Sequence, residues 1–568
     1  MSNNFRFAGG SPVRRRLSAL VLAASLVAAA GCTNSGPSEP AEGEGGSTEP
    51  MTIRLVNGDV NPNWDDMQSD IGKVIQEKTG ITLKQEFPVG GNDTDLFSIM
   101  VASGDYPDLV MPKGSAGKLV DAGALIDLTE LIDKHGPNIK KVYGEYMNRL
   151  RWSNEDHSIY ILPVTGVNNK YFDAGGGFQI QHRVLKELGY PKIETVKDYE
   201  NAIRTYLKEH PTDADGKPNI GMSLNAGEWQ ILISTTNPAF LTTGAPDDGE
   251  MYIDQKTYEA KLHYLRPEEK EYFRWLNHMY NTGLLDPESF IQKYDQYKAK
   301  IASGRVLGTI DQKWDYEQAE YVLKKEGKFD QTYARLPVTL NESYKDHSFQ
   351  ETGYLAGWGI GITKSAKDPV RLIKFLDYLA SDEGQVLLNW GIEGVHYKVE
   401  NGKRVFLPEY QEMKTNDKNG FKKKTGIENY FIAPRYGDGV KDPSGNYYTT
   451  IFPEQVISEY TEADKETLKA YGKTVYKDFW PSEDEFPMRP YGAAWSISFE
   501  TGSEANVIFE KTQDIMKKRV PEAIMASPEQ FDAVWDAFMQ DLQKAKVDKL
   551  NEEYTKMVRD RIKLWSGE

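Results

Sequence analysis

The chain has 568 residues, more than one ordinary domain holds, and a composition of 39% hydrophobic and 27% charged residues that can bury more than one core. Lys and Arg number 68 against 85 Asp and Glu, a formal net charge of −17 that repels phosphate backbones and argues against nucleic acid as a partner. A single cysteine excludes an intramolecular disulfide framework and any zinc site built on several cysteines.

The first segment places basic Arg14, Arg15 and Arg16 ahead of an apolar run from Leu17 to Ala30, followed by Gly31 and Cys32. This run is too short to cross a bilayer as a mature helix, which takes about 20 residues, and it fits a secretory signal. Small residues directly before the cysteine resemble the lipobox of bacterial lipoproteins, with Ala29 standing where that motif usually has Leu. The resemblance implies a signal peptide over 1–31, removed before Cys32, which then carries palmitate and the other lipid chains and anchors the protein on the extracellular side of the cell membrane. The alternative is an ordinary signal peptide with an incidental Cys32; a lone free thiol in an exported protein argues against it. Residues 33–50, TNSGPSEPAEGEGGSTEP, carry no aromatic or branched aliphatic residue, so 32–50 reads as a lipid-anchored flexible linker.

From residue 51 strands and helices alternate. Residues 51–56 and 81–87 read as strands, 67–79 as a helix with Met67, Ile71, Val74 and Ile75 on one face, 95–103 as a helix ended by Gly104, and 106–111 as a short buried strand. That order predicts an α/β lobe with a largely parallel sheet. Helical periodicity continues at 181–189, 196–209, 267–282 and 293–303, in one long helix over 369–390, and in two helices within 528–566 separated near Val547. Segments 395–450 and 476–500 are rich in Gly, Pro, Tyr and Trp and read as loops with short strands. Gly357-Trp358-Gly359-Ile360-Gly361 lacks the spacing of a dinucleotide fingerprint and reads as a strand whose backbone is closely approached.

Catalytic signatures are missing: there is no G-x-S-x-G, no H-E-x-x-H and no Walker A loop. The acidic pairs Asp247-Asp248 and Glu268-Glu269 read as solvated faces. Residues 211–219 begin like an oxygen-ligand calcium loop but lack the later ligands, and a plain turn is the favoured reading. No cofactor and no metal are expected. A glycosidase using two carboxylates leaves no compact motif and stays open as an alternative.

Eleven Trp and 32 Tyr are many for so acidic a chain. Trp64, Trp229, Trp314, Trp358, Trp390 and Trp495 sit in loop-like contexts beside amides, acids or glycines, whereas Trp275 and Trp535 stand at helical spacing and read as core. A sugar presents one face of C–H bonds to an aromatic plate and a rim of hydroxyls to neighbouring amides and carboxylates, so loop tryptophans beside such groups suit a carbohydrate cleft. The six are the candidate ring platforms, with Asn61, Glu228, Asp315 and Glu393 as hydroxyl partners.

The segments Met100–Val110 (MVASGDYPDLV), Gly123–Asn138, Tyr160–Pro163, His278–Pro287 and Ala380–Tyr397, in this order, resemble the extracellular solute-binding proteins, family 1, of bacterial ABC transporters. Within that family they are most similar to the large lipoproteins of Paenibacillus- and Bacillus-type bacteria that serve oligosaccharide importers. The resemblance implies a periplasmic-binding-protein-like fold: two α/β lobes with hinge crossings and a ligand cleft between them. Lobe one is then expected over 51–165 with 355–430, and lobe two over 166–354 with 431–568. It further implies a protein that is not an enzyme, an oligosaccharide ligand and ABC permease subunits as partners. Where relatives carry an Ile-Arg-x-Asp-Trp-Leu run this chain has Ile180–Leu185, so Gln181 and Arg183 are expected to alter a substrate contact. A binding protein for a peptide or other non-sugar solute is the remaining alternative.

Overall fold

The computed structural model describes residues 49–88, 93–500 and 502–567. Cys32, the signal segment 1–31 and most of the linker 32–50 lie outside the described residues. Two main sheets organise the rest. Their strands, in chain order, are β1 (Met51–Asn57), β2 (Ile81–Glu86), β3 (Leu109–Met111), β4 (Leu162–Pro163), β5 (Gly176–Gln181), β6 (Ile220–Met222), β7 (Val306–Gln312), β8 (Tyr333–Leu336) and β9 (Gly359–Ile362).

The first sheet runs β2-β1-β3-β9-β4. β1 pairs parallel with β2 (Met51 opposite Ile81) and with β3 (Leu55 opposite Leu109), joined by crossover helices as a βαβ pattern requires. β9 returns antiparallel to β3 and β4. The close approach expected at Gly359 is real: a Cβ there would lie 2.1 Å from the Leu162 carbonyl oxygen. The second sheet runs β8-β5-β7-β6, with β5 antiparallel to both neighbours and β6 parallel to β7.

Each sheet has its own core. The first gathers Ile53, Leu83, Leu109, Leu162, Ile360 and Leu376, and extends through Ile432, Ala433, Tyr436 and Tyr448. The second gathers Phe178, Ile203, Met222, Phe273, Leu307 and Leu336, then Val456, Tyr476, Met516, Trp535 and Val558. The chain passes between the two cores near residues 168–173, 350–353 and 449–455. The last helix, Val547–Ser566, adds a tie: Asn551 and Thr555 accept the backbone N–H groups of Leu262 and Ala260 on the second core, while Trp565 lies under the Arg149 guanidinium, 4.5 Å from ring centre to cation, on the first.

Three local differences from the sequence reading have clear causes. The helix expected over 369–390 is two, Pro369–Ala380 and Asp382–Trp390, because the Ser381 hydroxyl accepts the Gly384 N–H and restarts the chain as an N-cap. The 395–450 segment contains helices Pro408–Asn416 and Lys418–Thr425 between its short strands. A helix at Glu504–Met525, capped by Ser503, stands where no helix is predicted; its apolar residues are spread widely enough to blur the periodicity.

Candidate functional site

β7 ends at Gln312, and the next residues open the helix Lys313–Lys325. That junction and the start of β5 form one wall of a cavity of about 140 Å³, lined by Phe178, Ile233, Pro238, Leu241 and Ile310 on its apolar side. Its polar side carries Asn237, Asp247, Asp311, Gln312 and Asp346, and Trp314 stands at the rim. Helical geometry explains the split at the junction: Asp315, Tyr316 and Ala319 turn inward to the core while Trp314, on the opposite face, is 54% exposed. Trp229, also 54% exposed, lies nearly parallel to it, with interplanar angle 9° and ring centroids 6.3 Å apart.

The carboxyls around this cavity share one electrostatic signature. Asp311 accepts from the Tyr297 hydroxyl at 2.8 Å and the Gln312 N–H at 2.7 Å; burial, reinforced by the charge of Asp315, holds its pKa well above the usual carboxylate range. Asp247 accepts from the Gly249 N–H at 2.9 Å and the Asn237 amide at 3.1 Å, and burial raises it as well. Asp346 accepts from the Ser348 N–H at 2.7 Å and is pushed up to about 6, chiefly by burial.

A second pair of open tryptophans continues from this wall. Gly249, with φ +80°, lies so close to Trp495 that a Cβ on it would sit 2.7 Å from the Trp495 Cβ. Trp495 is 41% exposed and Trp358 44%, with centroids 5.3 Å apart and planes at 56°. Lys113 places its ammonium 5.1 Å from the Trp358 ring centre. Trp358 directly precedes β9 of the first sheet, whereas Trp495 belongs to the Arg489–Ile497 loop packed on the second core, so this pair bridges the two. Asp248 fixes that loop: one oxygen accepts from Arg489 at 2.7 Å and the Ala494 N–H at 2.9 Å, the other from the Tyr491 hydroxyl at 2.9 Å.

The reading of Asp247-Asp248 as a solvated face is therefore corrected: Asp248 is buried and Asp247 faces the cavity. Glu269 is likewise fully buried, held by His263 and Arg266. Periodicity in a loop does not reveal which acid meets an arginine distant in sequence. Tyr171, on a crossing segment with its ring tilted at 55° to Phe349 and centroids 5.7 Å apart, is not singled out by the sequence either. It is more than half exposed, yet surrounding protein raises its hydroxyl pKa, the combination expected of a cleft wall.

Four of the six candidate tryptophans, Trp229, Trp314, Trp358 and Trp495, are open, and the chain of contacts above links them. Trp390 is corrected: at 1% exposure it stacks on Phe406 at 5.1 Å, donates its indole N–H to the Tyr447 carbonyl at 3.1 Å, and belongs to the first core. Trp64 is partly buried edge-on against Tyr430 and donates to Asp66, while Asn61 accepts from the Asn63 N–H to shape the same loop. Asp315 is corrected as well, being 2% exposed with one oxygen on the Asn225 amide at 2.8 Å. Glu228 has both oxygens engaged, by Lys293 and the Tyr294 N–H, and these bonds lower its pKa. Glu393 is exposed in the turn after Trp390 and is not part of the cavity wall. Gln181 and Arg183 lie at the other end of β5 and bond to each other and to the Gly304 carbonyl, so the substrate contact expected of them is not made at this cavity. In the 211–219 loop Asp213 accepts from the Asp215 and Lys217 N–H groups, closing a turn.

Two sheets on separate cores, joined by several crossings and flanked by helices, define the fold of the bivalved extracellular receptors. The sequence model of the bacterial extracellular solute-binding proteins matches residues 61–386, and the chain belongs to that family, whose members bind solutes and are not enzymes. It is 22% identical over 412 residues to lipoprotein LipO of Bacillus subtilis, covering 69% of this chain and 75% of that one. It is 24% identical over 422 residues, 66% of this chain and 71% of the other, to the fructooligosaccharide ABC transporter substrate-binding protein FusA of Streptococcus pneumoniae. The fold is that of the periplasmic-binding-protein-like structures: FusA in complex with kestose superposes with TM-score 0.63 at 16% identity, and the alginate-binding protein AlgQ2 without calcium ion with TM-score 0.62 at 18%, each comparison covering 90% of this chain and 99% of the other.

Proposed function

We propose that this protein is the extracellular sugar receptor of an ABC importer, tethered to the membrane by lipid on Cys32, and that it captures an oligosaccharide and hands it unchanged to a membrane permease. The observation that carries the reading is the set of four half-exposed tryptophans: Trp314 stands at the rim of a cavity that offers carboxyl and amide groups to hydroxyls, Trp229 lies parallel to it, and Trp358 and Trp495 form a second open pair. Exposed indoles so grouped cost solvation unless a ligand covers them. The likeness to FusA, whose name gives fructooligosaccharides, and to LipO, named a lipoprotein, supports both halves of the proposal.

In this reading the two cores are the jaws, 51–167 with 354–452 and 172–350 with 456–567, and the three crossings between them form the hinge. Trp229 and Trp314 stay on one jaw while Trp358 and Trp495 meet across the junction. The test is a thermal-shift screen of oligosaccharides of varied linkage, followed by calorimetry: a receptor is stabilised by a subset of them and leaves them intact. Stabilisation by peptides and by no sugar would overturn the ligand class. Expression of a Cys32→Ser variant tests the anchor, the expected result being loss of the protein from the detergent-extracted membrane fraction; undiminished membrane retention would refute it.

A further inference from the structure

The cavity beside Trp314 is one-sided in charge. Asp247, Asp311 and Asp346 reach its wall together with the amides of Asn237 and Gln312, and no lysine, arginine or histidine is among its described lining residues. Arg489, the cation acting on Asp247, is committed to Asp248 at 2.7 Å. The geometry points to a subsite for a sugar unit that bears no carboxylate, sulfate or phosphate. This deepens the proposed sugar-receptor reading and rests on it.

The chemistry follows from what each group can exchange. A carboxylate accepts from sugar hydroxyls and an amide both donates and accepts, so a neutral ring can satisfy Asp247, Asn237 and Gln312 while its C–H face meets Trp314. An acidic sugar brings a further acidic group beside three carboxyls whose charged form burial already disfavours. It must then either take up a proton or meet the acids at short range, with no cation among the described lining residues to compensate. The apolar wall of Phe178, Ile310 and Leu241 gives such a charge nothing in return. Burial is the main cause that raises the pKa of all three acids, so the space already disfavours a carboxylate charge.

The experiment is a matched pair. Each neutral oligosaccharide that stabilises the protein is compared by calorimetry at pH 7 with the same oligosaccharide oxidised at C6 to its uronate form. The uronate is expected to bind at least tenfold more weakly, and Asp247→Asn, at a partly exposed position, should narrow the gap several-fold; Asp346→Asn serves as an independent second variant. Equal or tighter binding of the uronate would overturn the inference. So would a gap left unchanged in the folded variants, which would place the repulsion elsewhere. Binding of no oligosaccharide, neutral or acidic, is a different result: it removes the sugar-receptor reading itself and this inference with it.

Discussion

Trp390 and Trp314 share a sequence context, an aromatic next to an amide (Asn389) or an acid (Asp315) near the end of a regular element, and meet opposite fates. Trp390 closes the helix Asp382–Trp390 inside a stack with Phe406 and Phe452, its N–H satisfied by Tyr447. Trp314 opens the helix Lys313–Lys325 and is left more than half in solvent beside Trp229. The first spends its apolar surface on folding. The second keeps it available, which a protein tolerates where another molecule will cover it.

The sharpest way to break that comparison is to truncate both. Trp390→Ala removes a buried indole from the first core and should cost about 3–5 kcal/mol of unfolding free energy, read by denaturant melts, while ligand affinity of the folded fraction stays unchanged. A small stability loss would mean the core collapses around the gap, and a loss of affinity would return Trp390 to the binding surface.

Acid titration sharpens the same contrast between fold and site. Asp346 is buried with its pKa at about 6, above the value of about 3.9 in an unfolded chain. The folded state therefore holds this proton more tightly, so its contribution to stability is complete below pH ~4 and is lost as pH rises through 6, a span of about 3 kcal/mol. Asp346→Asn should flatten that part of the stability–pH curve. An unaltered slope between pH 4 and 7 in the variant would show that Asp346 does not titrate as its burial implies.

Much of this was legible in advance, for uneven reasons. β1, β2 and β3 and the helices at 196–209 and 267–281 announce themselves through period and caps: Thr195 and Asp198 form a capping box, and Pro267 starts its helix. The site was legible only as residue type. Exposure of a loop tryptophan is decided by what packs over it from elsewhere in the chain: Phe406 and Phe452 enclose Trp390, whereas Trp314, with Trp229 beside it, stays 54% exposed. Asp248 eluded the sequence reading because its partners, Arg489 and Tyr491, lie more than 240 residues away. Tyr171 eluded it because its position depends on where the chain crosses between cores.

Within the open set, Trp314→Ala should have the largest effect on binding. A sugar ring covering about 100 Å² of indole at about 25 cal/mol per Å² gains about 2.5 kcal/mol, roughly 70-fold in affinity. The melt of the unliganded variant should match that of the parent, because the removed surface is solvated; a lowered melting temperature would mark Trp314 as structural instead.

Trp358→Ala is the finer test, since it separates a fixed plate from one that depends on the junction. Trp358 shares its surface with Trp495 and with the Lys113 ammonium, so less of it is free for a ligand, and about 1 kcal/mol, roughly fivefold in affinity, is expected. Because its two rings come from different cores, the loss should fall mainly on ligand dissociation, with Trp314→Ala in contrast weakening binding even to an open form. Stopped-flow measurement of both variants distinguishes them. Equal effects on dissociation would mean that the junction pair is as fixed as the pair on the second core, and that closure does not bring Trp358 to the sugar.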